Sequence, residues 1–495
     1  MTQEKQNYTL QQLLALEDDE ALLQFSCPGS TLPAWPLIRT HFIRTLMSDL
    51  LYTSGGLNAA PGKPSLLQMA SYLARSQYHN WINRHAFSAE ICFFTTGLGN
   101  FSKDQKTHER LAGYFASSYP EQSMLYQAQG DWTWWQNHHF STILHATPFN
   151  TYLHLMGRLR VTATNWKLAN AIIEHASRNT VSRLGYQLAS GQKDTLKTAL
   201  SRQLAAFPIS ANYHANWFSR HNTRLLFLEA ACYGARSLPI LHAARMAGVT
   251  TAEHQHGAIS KGHDGYNVAP TLAASPSFRQ TLPDYLLTYG NWWSQQSNMP
   301  VAKLAIGNPH LAESLKRFMP ASCRNNRVLV LGDGIETQLY LDLAARVHTI
   351  AGKHGYNIVF RPHPLEKERL KTVPIPAGVA LDSNGDIYAS LQQATVVISE
   401  LSTGLFEAVG LVDKVILWKT DKSRFAYPEL PFPAFSTMQE LEMLLLGGDA
   451  VSESPPSAIQ AHELWQPNWE ENYRNFVEKT IGINNKAGEM NGSHH

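Results

Sequence analysis

The chain has 495 residues, 44% of them hydrophobic and 16% charged, and this length favours two domains with separate cores. Its 41 Lys and Arg residues against 39 Asp and Glu give a net charge of +2, which argues against nucleic acid as the main partner. The sequence contains no apolar stretch near the ~20 residues that span a bilayer, no secretory signal at its start, and only four scattered cysteines. A cytoplasmic location is therefore expected, with the inner face of the cytoplasmic membrane as the alternative.

The first 88 residues are predicted to form a helical N-terminal extension. Leu10, Leu13 and Leu14 recur near helical spacing, and a second amphipathic run begins at Trp35. The partly basic faces of these helices either pack on the rest of the protein or lie on a membrane surface. Packing is the favoured alternative.

The first strand is predicted at residues 89–94, and it runs into a turn that contains Gly97 and Gly99. A buried apolar strand that ends in a glycine-rich turn is typical of the opening of a Rossmann-like unit. The full three-glycine spacing of the dinucleotide fingerprint is absent, so dinucleotide binding is not the favoured interpretation. Residues 150–220 are polar and helical in character.

From residue 224 onward, predicted strands and helices alternate. A strand at 224–229 ends in Glu229, a helix follows at 238–247, and the strand at 249–253 leads directly into the segment from Glu253 to Gly257. Further strands are predicted where Val, Ile and Leu cluster, at 284–290, 327–331, 357–360, 395–399 and 414–418. Such alternation predicts parallel sheets with helices on both faces.

The predicted fold class is therefore α/β, with two Rossmann-like lobes, a helical N-terminal extension and C-terminal helices. The division has five parts, namely the extension (1–88), an N-terminal lobe for an acceptor (89–315), a C-terminal lobe for a nucleotide donor (316–435), C-terminal helices that pack back on the lobes (436–481), and a disordered tail (482–495).

Polar motifs follow the strands of the second lobe, where open parallel sheets bind their ligands. Ser402, Thr403 and Gly404 open a predicted helix, so their hydroxyls and amides suit a phosphate, although a simple helix cap gives the same pattern. Two prolines stiffen the Arg361-Pro362-His363-Pro364 loop, from which Arg361 could pair with a phosphate and His363 could donate to it.

Other ionisable side chains complete the predicted site. Glu407, one turn further on, suits a pair of ribose hydroxyls. In the first lobe, Glu229, Glu253 and His256 are candidates for a general base that acts on an acceptor hydroxyl. The alternative for these three is a buried structural Glu–His pair.

These motifs resemble those of bacterial glycosyltransferases of the GT-B type that build capsule and lipopolysaccharide. The order is a Gln-His-Gly loop, then Arg-Pro-His-Pro, then Ser-Thr-Gly, and it covers residues 224–420. It is similar to the order in Kdo transferases, sialyl- and polysialyltransferases, and CDP-glycerol phosphotransferases. The resemblance implies that His363, Ser402 and Thr403 contact the nucleotide phosphate.

The resemblance also implies that the first-lobe loop holds the acceptor or the catalytic carboxylate. We therefore assign to the acceptor the first-lobe residues Gly97, Gly257, Lys261, His263 and Tyr266. The sequence lacks an Asp-x-Asp motif, which implies a metal-independent mechanism without a cofactor other than the nucleotide-sugar itself.

The expected function is transfer of a sugar, with a CMP-linked ulosonic acid such as Kdo favoured, from a nucleotide-sugar to a growing surface polysaccharide. The expected partners are that donor, an oligosaccharide or lipid-linked glycan acceptor and a peripheral membrane contact, without nucleic acid. The alternatives are a CDP-polyol phosphotransferase, a non-catalytic subunit that binds nucleotide or sugar, and a sugar-nucleotide epimerase. All of these require His256 and His363 to lie on the same gap between two lobes.

Overall fold

The computed structural model describes residues 8–51, 64–83, 88–97, 99–140, 142–317, 326–366, 369–447 and 459–482. The predicted disordered tail falls almost entirely outside these residues. Nowhere in the described ranges does a helix combine the length and the apolar character needed to cross a membrane.

The N-terminal region forms α1 (Leu10–Leu14), α2 (Arg39–Leu50) and α3 (Leu66–Asn83). Helices α1 and α2 share a small apolar cluster with Phe425 from the second lobe. Helix α3 lies apart from them and packs against the edge of the first sheet. The first two helices are therefore an integral part of the protein core, because burial of their apolar faces stabilises both partners.

The first lobe is built on a seven-stranded parallel sheet in the order β5-β4-β1-β6-β7-β8-β9. Two of its central strands, Ile91–Thr95 and Leu225–Leu228, are nearly continuous apolar runs, as expected for strands that are covered on both faces. The strands are β1 (Ile91–Thr95), the separate antiparallel hairpin β2 (Asn100–Lys103) and β3 (Lys106–Glu109), β4 (Ser123–Gln127), β5 (Ile143–His145), β6 (Leu225–Leu228), β7 (Thr250–His254), β8 (Tyr285–Thr288) and β9 (Ala302–Ala305).

Helices cover both faces of this sheet, and three long ones connect β5 to β6. Pro208 lies inside the longest of them. The helices are α4 (Gly113–Ser118), α5 (Thr147–Leu159), α6 (Ala163–Leu184), α7 (Ser190–His221), α8 (Ser237–Met246), α9 (Pro270–Ala274), α10 (Pro276–Arg279), α11 (Asn291–Gln295) and α12 (Pro309–Leu315).

The second lobe is a six-stranded parallel sheet in the order β12-β11-β10-β13-β14-β15. Its elements are β10 (Arg327–Leu331), α13 (Thr337–Ala351), β11 (Asn357–Arg361), β12 (Val379–Leu381), α14 (Ile387–Gln393), β13 (Val396–Ser399), α15 (Gly404–Glu407), β14 (Lys414–Trp418), α16 (Asp421–Ala426), β15 (Ala434–Phe435) and α17 (Met438–Leu446). Two parallel sheets of Rossmann-like order confirm the predicted α/β fold with two lobes.

The chain returns to the first lobe after the second sheet. Helices α18 (Ala461–Leu464) and α19 (Trp469–Ile481) end the described chain, and Trp469, Tyr473 and Phe476 of α19 join the apolar core of the first sheet. The lobes also touch directly, because the Phe406 ring packs on Trp293 with 4.7 Å between ring centroids. One apolar cluster runs through the N-terminal helices and both lobes.

The structure adds elements that the sequence pattern did not predict. Among them are the strands β4, β5, β9, β12 and β15, the hairpin of β2 and β3, and the short helix α12. Strand β9 lies at the sheet edge and alternates exposed with half-buried residues, so it lacks the apolar run of the central strands.

Candidate functional site

The first candidate site lies where the strand order of the first sheet reverses, between β1 and β6. Ligands of open parallel sheets bind at this position, beyond the C-terminal ends of the strands. Here Glu229, directly after β6, accepts two hydrogen bonds from the residue that follows β1. The Thr96 amide donates to Oε1 at 3.0 Å and the Thr96 hydroxyl donates to Oε2 at 2.6 Å. The carboxylate is thereby fixed at the reversal point.

The protonation of Glu229 is unusual for a glutamate. Burial and the nearby Glu109 carboxylate raise its pKa to about 7, against the hydrogen bonds from Thr96 and the charge of Arg110. At neutral pH this carboxyl group therefore exchanges readily between its protonated and its ionised form. Such a pKa suits a general acid or base.

Glu109 is a second buried carboxylate at this edge, and the sequence analysis did not identify it. Its Oε2 accepts from the Leu111 amide at 2.9 Å and also from those of Ala112 and Gly113, at the start of α4. Its Oε1 has no hydrogen-bond donor among the described residues. Burial raises the pKa of this carboxyl as well, and its charge in turn contributes to the raised pKa of Glu229.

The sequence analysis also missed Arg110. The charge of its exposed side chain opposes the rise in pKa of Glu229 in the first lobe and of Glu407 in the second. It also contributes to the lowered pKa values of His256 and His363. A Glu-Arg pair just before a short helix was the only local signal.

Glu253 and Tyr266 form a buried hydrogen-bonded chain that ends at His256. The Cys232 amide donates to Oε2 of Glu253 at 2.7 Å, and the Tyr266 hydroxyl donates to Oε1 at 2.6 Å. The Tyr266 oxygen lies 3.3 Å from Nδ1 of His256. Because the Tyr266 proton points to Glu253, Nδ1 carries the proton of the neutral His256 ring and Nε2 keeps its lone pair.

Burial determines the charge in this chain. It raises the pKa of Glu253, whose side chain is completely buried. It also lowers the pKa of His256 to about 4, with smaller contributions from His263 and Arg110. His256 is therefore neutral and a weak base at physiological pH. Glu253 is completely buried and bonds to Cys232 and Tyr266, so it positions Tyr266 rather than facing a substrate.

The remaining residues of the predicted acceptor loop have structural contacts. Both ring nitrogens of His263 are engaged, Nε2 with the Tyr233 hydroxyl at 3.0 Å and Nδ1 with the Gly265 amide at 3.1 Å. The ammonium of Lys261 pairs with Glu429 of the second lobe at 2.6 Å.

The two predicted acceptor glycines differ in their surroundings. Gly257 has open space where a side chain would start. Gly97 has a φ of +69° and lies against Gln129, where an added Cβ would come within 2.3 Å of Oε1. Close packing and backbone conformation therefore account for Gly97, whereas Gly257 leaves room beside the loop.

Residues of the N-terminal extension bond to the predicted acceptor loop that carries His263 and Tyr266. Arg39 is buried, pairs with the fully buried Glu17 at 2.7 Å, and donates to the carbonyl oxygens of Asp264 and Asn267. Arg44 adds an ion pair with Asp264 at 3.0 Å. Removing an ion pair from water costs free energy, and additional hydrogen bonds such as these offset that cost.

His363 follows β11, at the C-terminal edge of the second sheet. Its Nδ1 accepts from the Leu365 amide at 3.3 Å, and its backbone amide donates to Glu366 at 2.6 Å. Gly334 packs on the ring, where an added Cβ would lie 2.8 Å from Nδ1. Burial, assisted by Arg110, lowers the pKa of His363, so the neutral ring keeps one proton, on Nε2.

Arg361 is held inside the second lobe. Its Nη1 donates to Asp382 at 2.8 Å, to the Asn384 carbonyl at 3.0 Å and to the Ser390 hydroxyl at 2.9 Å. Although burial acts in the opposite direction, hydrogen bonds from Ser390 and Arg361 lower the pKa of Asp382. The guanidinium is thus committed to an internal pair.

The Ser-Thr-Gly segment opens a helix of a single turn, α15, whose dipole is correspondingly small. The Ser402 hydroxyl accepts from the Gly404 amide at 3.2 Å. Gly404 is buried, and it packs so closely that an added Cβ would lie 2.7 Å from Leu331. Glu407 ends the helix, where burial raises its pKa against Arg110 and the Tyr388 hydroxyl donates to it at 3.4 Å.

Three carboxylates near the second-lobe edge could in principle hold a metal ion. One oxygen from each of Asp333, Glu336 and Glu400 lies within 4.8 Å of the others. Lys422 occupies the same space, with its ammonium 3.6 Å from Asp333 and 3.6 Å from Glu400 and paired with Glu336. Although burial acts in the opposite direction, Glu400 and its neighbours raise the pKa of Lys422. This lysine supplies the positive charge that the cluster needs.

A cavity of about 440 Å³ lies in the first lobe beside Glu109. The hairpin of β2 and β3, α4, α12 and α19 surround it, with Tyr114, Phe140 and Trp469 as its aromatic walls. Its volume falls within the roughly 300–1,000 Å³ of small-molecule sites. At its rim Tyr114 touches His310, which in turn contacts Tyr388 of the second lobe with 5.8 Å between ring centroids. The cavity therefore adjoins the gap between the lobes.

No family model and no curated protein matches the sequence of this chain. Its fold is similar to a UDP-N-acetylglucosamine 2-epimerase from Rickettsia bellii, with 11% identity, 80% of this chain and 99% of the other covered, and a TM-score of 0.38. A UDP-GlcNAc 2-epimerase from Neisseria meningitidis, bound to UDP-GlcNAc, has 10% identity, 79% and 99% coverage, and a TM-score of 0.37.

A third similar structure is the glycotransferase of kitacinnamycin, at 8% identity, with 79% of this chain and 94% of the other covered and a TM-score of 0.37. All three TM-scores lie below 0.5, so the fold assignment here comes from the strand order and register of the two sheets.

Proposed function

We propose that this protein is an enzyme that binds a nucleotide-activated sugar between its lobes and transfers the sugar to an acceptor hydroxyl. One observation carries the proposal: Glu229, with a pKa of about 7, lies at the reversal point of the first sheet, close to a cation that also acts on the second lobe. A proton acceptor tuned to neutral pH and a shared positive charge are what glycosyl transfer requires.

In the proposed reaction, Glu229 removes the proton of the acceptor hydroxyl as its oxygen attacks the anomeric carbon. The bond between that carbon and the phosphate oxygen breaks, and its electron pair leaves with the nucleotide. Arg110 and the Nε2 proton of His363 stabilise the charge that develops on the leaving phosphate. Every proton and electron pair is accounted for by groups of the chain and the two substrates.

Glu229 is a better candidate for the base than His256. A general base works best when its pKa is near the working pH, and the values are about 7 for Glu229 and about 4 for His256. His256 still presents a lone pair on Nε2, which suits a hydrogen bond from a sugar hydroxyl. We assign it to substrate orientation, together with the open space beside Gly257.

The cavity beside Glu109 is the proposed place for the acceptor. The histidine and glutamine side chains offer both donors and acceptors, which matches sugar hydroxyls, and the rings of Tyr114 and Trp469 match the apolar faces of a pyranose. The favoured donor remains a CMP-linked ulosonic acid, and the favoured product a capsule or lipopolysaccharide chain. Both preferences rest on the resemblance of the motifs.

Nucleotide binding is the first test of the proposal. Thermal unfolding would be followed with CMP, CDP, UDP and GDP, because a ligand at ~100 times its Kd stabilises the folded state by ~2.7 kcal/mol. We expect one nucleotide to raise Tm, and His363→Ala to reduce the increase. His462→Ala changes an exposed histidine on α18 and serves as the matched control. If all four nucleotides leave Tm unchanged, the proposal fails.

Product analysis is the second test. With the binding nucleotide as its sugar conjugate and a glycan acceptor, a new glycosidic bond supports the proposal. A phosphodiester product would instead indicate polyol phosphate transfer. Binding without any turnover would indicate a non-catalytic subunit.

A further inference from the structure

Exposed apolar side chains are concentrated on one side of the first lobe. Seventeen large apolar side chains are exposed among the described residues, and nine of them belong to α3, α5 and the start of α6. Those on α3 are Leu66, Leu67, Tyr78, Trp81 and Ile82, each more than half exposed. Scattered exposed apolar residues are normal, but such a concentration marks an interaction surface.

Helix α3 exposes its apolar face, whereas an ordinary surface helix buries it. Its buried residues are Tyr72 and Ser76, and Asn80 one turn later makes two hydrogen bonds of 2.8 Å with the backbone of His145 on the edge strand β5. The Tyr72 hydroxyl adds a contact of 3.3 Å to the His145 ring. Polar contacts therefore fasten the inner face of α3, and its apolar face is directed away from the protein.

Helix α5 continues this surface. It packs beside α3 and exposes Tyr152, Leu155 and Leu159, and Trp166 follows in the first turns of α6. Tryptophan and tyrosine combine an apolar ring with a polar atom, and this combination favours the boundary between lipid and water.

The charged side chains within the two stretches that form this surface have one sign. Residues 64–83 and 132–173 contain no Asp or Glu, although the chain has 39 of them. Arg75, Arg158, Arg160 and Lys167 are exposed within these two stretches. In a symmetric dimer through this face, the cations of one copy would meet those of the other, which disfavours a second copy as the partner.

We propose that the surface formed by α3, α5 and the start of α6 docks on an anionic phospholipid bilayer. The apolar and aromatic side chains enter the headgroup region, and the four cations bind lipid phosphates at its margin. This interfacial contact needs no membrane-spanning helix. The inference is independent of the reaction proposed above, since it rests on side chains outside the gap between the lobes.

Vesicle flotation tests this surface. The full chain would be mixed with vesicles of phosphatidylcholine alone or of phosphatidylcholine with phosphatidylglycerol. We expect flotation with the anionic vesicles, and a reduction of about tenfold in the partition coefficient for the double variant Trp81→Ser, Ile82→Ser. The triple variant Arg158→Gln, Arg160→Gln, Lys167→Gln should also bind more weakly and depend less on salt.

A matched control removes two apolar side chains elsewhere that are at least as exposed. Met246→Ser with Leu446→Ser changes the ends of α8 and α17 and should float like the wild type. Unchanged flotation of the Trp81, Ile82 variant, or no flotation of the wild-type chain, would overturn the proposal. So would a mass measurement in which this variant converts a dimer to a monomer without any effect on vesicles.

Discussion

Buried carboxylates have different partners at the C-terminal edges of the two parallel sheets. In the second lobe, cations lie directly beside the carboxylates, as Arg361 does beside Asp382 and Lys422 does beside Glu400. The pKa of Asp382 is lowered and that of Lys422 is raised, so both groups stay charged over a wide range of pH. Burial nevertheless raises the pKa of Glu400 and of Glu407 at the same edge, so the lowered pKa is a property of the Asp382 pair.

In the first lobe, neutral donors hold the carboxylates instead. Thr96 bonds to Glu229, and Tyr266 bonds to Glu253. Hydroxyls do not cancel the negative charge, so burial dominates and raises the pKa of both carboxyls. The carboxyl of Glu229 therefore changes its protonation near neutral pH, whereas Asp382 beside Arg361 stays ionised.

The largest expected effect is on Glu229. We expect Glu229→Gln to lower kcat by roughly 10²–10⁴-fold, because the amide cannot accept the proton. In the wild type, the rate should rise with pH through about 7 as the carboxylate ionises, and the variant should lose this dependence. The measurement is the pH profile of the transfer reaction once a donor is known. Glu90→Gln, which breaks the exposed pair with Arg224, is the control and should keep both rate and profile.

In the second lobe, Arg361→Met should act on stability rather than on chemistry. Removing the cation leaves Asp382 buried without its charge partner, and the free energy of unfolding should fall by about 3 kcal/mol. Urea unfolding measures this loss. The increase of Tm with nucleotide should persist, and its disappearance in a folded variant would show that Arg361 contacts the ligand instead.

His254 provides a test of burial in the first-lobe core. Its ring stacks between Phe115 and Phe227, with 4.7 Å and 4.4 Å between ring centroids, and burial lowers its pKa to about 3. Below pH ~6.5 the unfolded chain binds a proton that the folded chain refuses, so stability should fall by up to about 1.4 kcal/mol per pH unit until pH ~3.

The variant His254→Phe should remove this part of the acid sensitivity. Urea unfolding between pH 4.5 and 7 would compare the two proteins. Parallel stability curves for variant and wild type would contradict the assignment of a neutral, buried ring.

The smallest expected effect is on the exposed pair that joins the lobes. Lys261 and Glu429 are 42% and 75% exposed, so Lys261→Met should change the unfolding free energy by less than about 1 kcal/mol. A double-mutant cycle with Glu429→Gln would isolate the interaction. A coupling well above this value would mean that the pair controls how the lobes close.

The sequence predicted the fold best where strands are buried on both faces. Strands such as β10 and β13 are continuous runs of Val, Leu and Ile and need no tertiary information. Strand β5 has only three residues. Strand β9 contains a lysine, and its residues alternate between exposed and half-buried, so neither sequence shows the apolar run that predicts a strand. Their pairing is decided by neighbours far along the chain.

The candidate site was predicted in part for the same reason. Glu229, His256 and His363 each end a predicted strand or follow it closely, so the strand pattern was enough to single them out as candidates at the C-terminal edges of the two sheets. Arg110 follows a short polar hairpin, and its importance arises from Glu407, which is remote in sequence. The Arg-Pro-His-Pro motif predicted a ligand role for Arg361, whereas only the three-dimensional structure reveals its bonds to Asp382 and Ser390.

The buried Arg39 has a consequence for biosynthesis. Its bonds to the loop that carries Tyr266 join residues 225 positions apart in the chain. At about 5–20 residues per second, a ribosome takes roughly 10–45 s to deliver that loop after Arg39 has emerged. The apolar faces of the N-terminal helices therefore lack this packing partner until more than half of the polypeptide has been synthesised. A chaperone that shields the nascent N-terminus should raise the yield of native protein, and early truncated chains should aggregate.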